Sequence, residues 1–183
     1  MVVMRTTRLA VAVVGTAVGL LLAGCSTGGA GGGSVEPTTA PEPENVLASV
    51  DPCTVLSPDE LQQLGVTEPG EPVDQGIGEV GCDFDADGFA FAIYKGETDS
   101  IDYWHGQRDK FAIFEENKVG SRNGIKQVTK GAVGQSLCSQ VIEVGSGSVS
   151  VQFGYDADKK QSDEATCAKA MEVAEVVEPK LPK

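Results

Sequence analysis

The chain has one histidine and one tryptophan, and aromatic residues make up only 5% of it. With histidine so scarce, metal chemistry loses its commonest side-chain ligand. His105 lies far in sequence from every cysteine, and no C-x-x-C pair occurs, so the spacing does not support a zinc site. No cofactor or metal is expected. Basic residues are also few: 14 Lys and Arg stand against 27 Asp and Glu. A surface so strongly negative repels phosphate backbones and anionic headgroups, which excludes nucleic acid as a partner. The longest apolar run, Leu9 to Leu22, covers about 14 residues, short of the ~20 that a membrane-spanning helix needs. A nucleophile elbow, an H-E-x-x-H pair and a phosphate-binding glycine loop are all missing.

What is present begins with a leader. Arg5 and Arg8 precede the apolar run, which closes on Leu22-Ala23-Gly24-Cys25. A positive start, a short apolar stretch and small residues before a cut make a secretory signal peptide. The final quartet resembles the lipobox of bacterial lipoproteins, which implies cleavage before Cys25 and lipid on its thiol. Residues 1–24 are therefore expected to be removed, and Cys25 to carry acyl chains. Several chains on one residue anchor stably where a single one binds only marginally. The expected location is the outer face of the cytoplasmic membrane, with membrane contact through the lipid on Cys25 alone. All 27 acidic residues follow Cys25 and two of the 14 basic residues precede it, so the mature chain carries fifteen net negative charges.

Residues 25–50 read as a lipidated cysteine and a tether: Gly-rich from Ser26 to Ser34, then rich in Pro, Thr and Glu. A globular domain is expected over 51–183, long enough for a real core. It holds Cys53, Cys82, Cys138 and Cys167. An even count in an exported domain reads as two disulfides with three possible connectivities. Cys53–Cys82 and Cys138–Cys167 are favoured, because each closes a loop of about 30 residues within one half of the chain, contributing on the order of 3–4 kcal/mol.

Leu56-Ser57-Pro58-Asp59-Glu60-Leu61 is a full helix start, with Ser57 as cap, Pro58 at the first helical position, Glu60 closing the capping box and Gly65 as the stop. A hairpin follows, Val80 to Phe84 turning at Asp87-Gly88 into Phe89–Tyr94 with one buried face. Ile101, Trp104, Arg108, Phe111 and Phe114 recur near helical spacing, which predicts a second helix capped by Asp99 or Ser100, with Gly106 weakening its middle. Asn123-Gly124 predicts a turn before a strand at 125–130. Leu137 to Val144 and Ser148 to Tyr155 predict a hairpin about Gly145-Ser146-Gly147. The last helix is expected over Asp163 to Glu178, with Cys167, Met171, Ala174 and Val177 facing the core. The order gives an α+β fold: a mostly antiparallel sheet packed with three helices and two disulfides. Its layout is similar to that of Mog1/PsbP-type sandwiches.

Asp51-Pro52-Cys53 running into Leu56–Leu61, then Gly81-Cys82 with Phe84, then Cys167-Ala168-Lys169-Ala170-Met171 and the closing Pro179-Lys180-Leu181-Pro182, resemble the actinobacterial lipoproteins grouped as domain of unknown function 3558. The resemblance implies a cell-envelope lipoprotein without assigned activity, and no catalytic residue can be carried over from it.

Three constellations remain. Asp83, Asp85, Asp87 and Gly88 imitate the start of an EF-hand loop, but Tyr94 stands where the bidentate Glu is required, so a polar hairpin turn is expected. Trp104, His105 and Arg108 form a candidate ligand patch, able to stack a ring and hold an anion; the alternative is an amphipathic helix that buries Trp104. No acidic residue lies between Glu116 and Glu143, while Lys118, Arg122, Lys126 and Lys130 do. They are a candidate strip for an anionic partner such as a wall polymer, a headgroup or an acidic protein; pairing with acidic neighbours is the alternative. Together these readings predict a non-catalytic accessory module that binds a small ligand, a wall polymer or an envelope protein. A hydrolase assembled from dispersed residues and a regulatory partner of a membrane protein are the alternatives.

Overall fold

In a computed structural model of the chain, residues 45–76 and 79–183 are described. Cys25, the leader and most of the tether lie outside them. The first described element comes earlier than the expected start at Asp51. Val46–Ser49 is a short 3-10 turn, and its Leu47 is only 1% exposed. An apolar side chain buried that deeply belongs to the core, so the packed chain begins before the Asp51-Pro52 signal.

Helix α1 (Pro58–Gln63) carries the capping box its sequence promises: Ser57 Oγ accepts from the Glu60 amide, and Glu60 Oε2 accepts from the Ser57 amide at 2.9 Å. Strands β1 (Glu71–Asp74), β2 (Val80–Ala86) and β3 (Phe89–Gly96) form an antiparallel meander. Helix α2 (Ile101–Gly106) leads into β4 (Phe111–Val119) and β5 (Arg122–Thr129). The hairpin of β6 (Leu137–Val144) and β7 (Gly147–Tyr155) precedes helix α3 (Asp163–Val177). Among the described residues seven strands make one sheet in the order β1-β2-β3-β7-β6-β5-β4, and every neighbouring pair is antiparallel. The α+β class, the three helices and both disulfides, Cys53–Cys82 and Cys138–Cys167, are as expected.

Two elements differ from the sequence reading. The helix expected through Phe114 stops at Gly106, and Phe111–Phe114 opens β4 instead. Glycine costs a helix interior about 1 kcal/mol, and the apolar Phe-Ala-Ile-Phe run that follows suits a pleated surface. The turn assigned to Asn123-Gly124 lies at Gly120-Ser121, where Gly120 takes a positive φ of 55°. Gly124 sits inside β5, and its reason is a close approach. A Cβ there would meet Val141 O at 2.7 Å and both halves of the Asn117–Gln140 amide pair at 2.8 Å. β1, with Pro72 and little apolar content, has no strand signal in the sequence.

The sheet sorts its side chains by alternation. One face carries Cys82, Phe84, Phe91, Ile93, Cys138, Ile142, Val149, Val151 and Phe153, all buried in the main core. Phe84 stacks on Phe91 with ring centres 4.9 Å apart. α3 covers this face across β6 and β7 with Cys167, Ala170, Val173, Ala174 and Val177, and its alanines let it lie close. The Arg122 side chain helps tie the chain end down. Its guanidinium pairs with Glu178 at 3.3 Å and donates to the carbonyls of Leu181 and Pro182.

Candidate functional site

The second face of the sheet is only partly covered. At one end, α2 packs over Phe114, Ile125 and Val141 with Ile101 and Trp104, joined by Phe111. Ser100 holds the helix start by accepting from the Tyr103 amide at 3.2 Å. Trp104 is turned onto the sheet, its indole N–H donating to Ser148 Oγ at 3.0 Å. Beside it lies a groove of about 230 Å³, which continues past Tyr94 and Gln152 into a second hollow of about 220 Å³.

The floor of the groove follows from the strand register. Gln127 of β5 stands opposite Ser139 of β6, and Ser139 opposite Gln152 of β7. The next row places Ser150 of β7 opposite Tyr94 of β3. Along these two rows the interior strands present amides and hydroxyls, while Ile125 and Val141 on the same face pack under α2. Gln127 is 2% exposed, and its Nε2 has no hydrogen-bond partner among the described residues. A buried amide donor is costly to leave unpaired, so this atom is the sharpest chemical feature of the face.

The rim is aromatic and acidic. Tyr103 packs edge-on against Trp104 at 5.3 Å, and Phe111 lies 6.3 Å beyond it. Burial, then the nearby Asp99 carboxylate, pushes the Glu79 carboxyl above its ordinary value, and burial pushes Asp99 up too. Burial also raises the Tyr94 hydroxyl, which donates to Asp83 at 3.4 Å. Gly96 makes room for this cluster, since a Cβ there would collide with the Asp99 carboxylate. Among the described residues Lys110 supplies the one basic side chain lining the groove.

The residues singled out in the sequence divide. Trp104 lines the groove, but His105 and Arg108 do not. His105 Nε2 lies 3.6 Å from Glu116, and the Arg108 guanidinium sits 4.9 Å over the Phe114 ring. The four basic residues do not form one strip. Lys118 projects from one sheet face, donating to Asn123, while Arg122 and Lys126 project from the other. Arg122 is engaged by Glu178, Lys126 meets Glu115 at 2.6 Å, and Lys130 begins a 3-10 turn after β5. Asp83, Asp85 and Asp87 lie on the β2–β3 hairpin, and no group of three metal-ligating side chains occurs among the described residues.

Sequence reasoning missed Gln127, Ser139, Ser150 and Gln152. The available signal was Ser and Gln alternating with apolar residues in strands that are interior to the sheet. Two larger hollows, of about 610 Å³ beside α1 and about 560 Å³ beside β1, offer less chemistry. Among the described residues, no buried side-chain polar atom in them lacks a partner.

The chain matches a family model described as protein of unknown function, DUF3558, over residues 20–180. No curated protein and no solved structure matches it.

Proposed function

We propose, for a chain that belongs to the DUF3558 family of proteins of unknown function, that it is a lipid-anchored extracytoplasmic binding module. Its ligand seat is the groove between α2 and the open sheet face. The leader ending at Cys25 and the Gly/Pro/Thr-rich tether support the anchor. The observation that carries the binding reading is the Gln127 amide, buried in the groove floor with a donor that has no partner among the described residues. Such a group is a standing cost to the fold, and an occupant supplying an acceptor removes it. The groove's side chains suit recognition rather than bond breaking. Its serines have no histidine beside them, since the single histidine packs on Phe114 outside the groove.

A photo-crosslinking residue in intact cells tests the seat. Tyr103 is 42% exposed at the groove rim, and Lys169 is exposed on the opposite side of the domain. The probe at 103 is expected to yield a discrete adduct that the probe at 169 does not. Equal labelling at both sites, or none at 103, would overturn the seat. For the anchor, wild type is expected to partition into detergent and Cys25→Ala into the aqueous phase. Identical partition would remove the anchor.

A further inference from the structure

The ligand class follows from the lining, given the seat proposed above. Gln127, Ser139 and Gln152 are cross-strand neighbours in one row, and Ser150 and Tyr94 occupy the next. Each is an uncharged group that both donates and accepts. Neighbouring strands lie about 4.8 Å apart, so the first row presents such groups at that interval over about 10 Å. Trp104, Tyr103 and Phe111 wall the same groove with ring surface. Among the described residues, charge in the lining is confined to Glu79 and Lys110, with Asp99 beside Glu79.

That composition rejects three occupants. Hydrocarbon would seal Gln127 Nε2 away from any acceptor. An anion would meet the Glu79–Asp99 pair against a single lysine. An extended peptide adds to a free sheet edge, whereas the groove floor lies on β5, β6, β7 and β3, whose backbones are already paired on both sides. We infer that the groove binds an uncharged, polyhydroxylated ligand, a saccharide, through hydrogen bonds to Ser139, Ser150 and Gln152, an oxygen that accepts from Gln127 Nε2 once that amide turns outward into the groove, and a ring laid against the Trp104–Tyr103 wall.

The chain's only tryptophan is Trp104, so its emission reports on this groove alone. The full chain, purified in mild detergent, is titrated with N,N′-diacetylchitobiose, maltotriose, and an isolated neutral wall polysaccharide as a separate arm. Palmitate, a galacturonate dimer and a neutral tripeptide serve as the competing chemistries. A saturable change in Trp104 emission with a neutral saccharide is expected, and which arm responds tells a free sugar from a wall glycan. Gln127→Leu should weaken it about tenfold or more, the loss expected for one directed hydrogen bond, and should melt no lower than wild type because the unpaired donor is gone. Gln152→Ala should also weaken binding, and Lys169→Ala should not. Response to palmitate, the anionic dimer or the tripeptide but to no neutral saccharide overturns the ligand class and keeps the seat. A lower melting temperature for Gln127→Leu overturns the role given to that amide. No response to any probe, with no adduct at position 103, overturns both readings.

Discussion

Replacing Cys138 and Cys167 together by alanine opens a loop whose ends are 29 residues apart. The chain-entropy relation turns that separation into about 12 cal/mol/K, or about 3.6 kcal/mol at 25 °C. Both cysteines are buried between β6 and α3, so lost packing adds on the order of 1 kcal/mol. In a domain of about 140 residues each kcal/mol moves the midpoint by roughly 3–4 °C, and Tm should fall by about 15 °C. Circular dichroism melts without reductant measure this, with the Cys53–Cys82 bond confirmed by thiol counting. Urea titration supplies a second marker, because an unlooped denatured chain exposes more surface and the m value should rise. Cys53 and Cys82 are separated by the same 29 residues. Their removal should cost a similar entropic share with a smaller packing loss, since Cys53 is only half-buried. A fall below about 5 °C with an unchanged m value would refute the reasoning, because the loop would then restrain little in the denatured state.

Gly124→Ala should destabilise by about 1–3 kcal/mol, read from urea unfolding, because the added methyl must displace the half-buried Asn117–Gln140 amide pair. The Glu60 carboxyl is held down to about 2 by its hydrogen bond from Lys180 and then by the Ser57 amide. Its folded value is depressed, so its stabilisation is present above the ordinary 4.5 and is lost as pH falls toward about 2. Glu60→Gln should therefore melt below wild type at pH 7, and the two curves should converge near that acid limit. Glu79 has the opposite sign: its folded value is raised, so its charge opposes folding once pH passes the ordinary 4.5. Glu79→Gln should melt above wild type at pH 7.5, with the gain vanishing in acid; a loss at pH 7.5 would contradict the burial argument.

Local signals read well where one physical cause dominates. The Ser57–Glu60 box, the Asp87-Gly88 and Gly145-Ser146 hairpins and the α3 stripe are decided within a few residues of sequence, and the structure bears each of them out. Cysteine spacing indicated the pairing because both partners of each bridge lie within one half of the chain. The failures arose where two periods overlapped. Trp104, Phe111 and Phe114 keep near-helical spacing, yet they meet because α2 folds onto the start of β4. Asn123-Gly124 has turn chemistry, but the Asn117–Gln140 contact across it requires a strand with no side chain there. The groove was hidden for a related reason. Alternating Ser and Gln look like a solvent-facing surface until β3, β5, β6 and β7 are known to lie inside the sheet.

The strand order divides the sheet at the β3–β7 ladder into β1-β2-β3 and β7-β6-β5-β4, and each part carries one end of a different disulfide, Cys82 on β2 and Cys138 on β6. A chain that emerges N-terminus first offers Cys53 and Cys82 to an oxidant before Cys138 has appeared. With Cys25 acylated as proposed, the first free thiol that each of the four other cysteines meets is then its native partner. Non-native bridges would have to join segments that come together only when β7 zips onto β3. Oxidative maturation of this domain should therefore need an electron acceptor and no reshuffling of bonds already made.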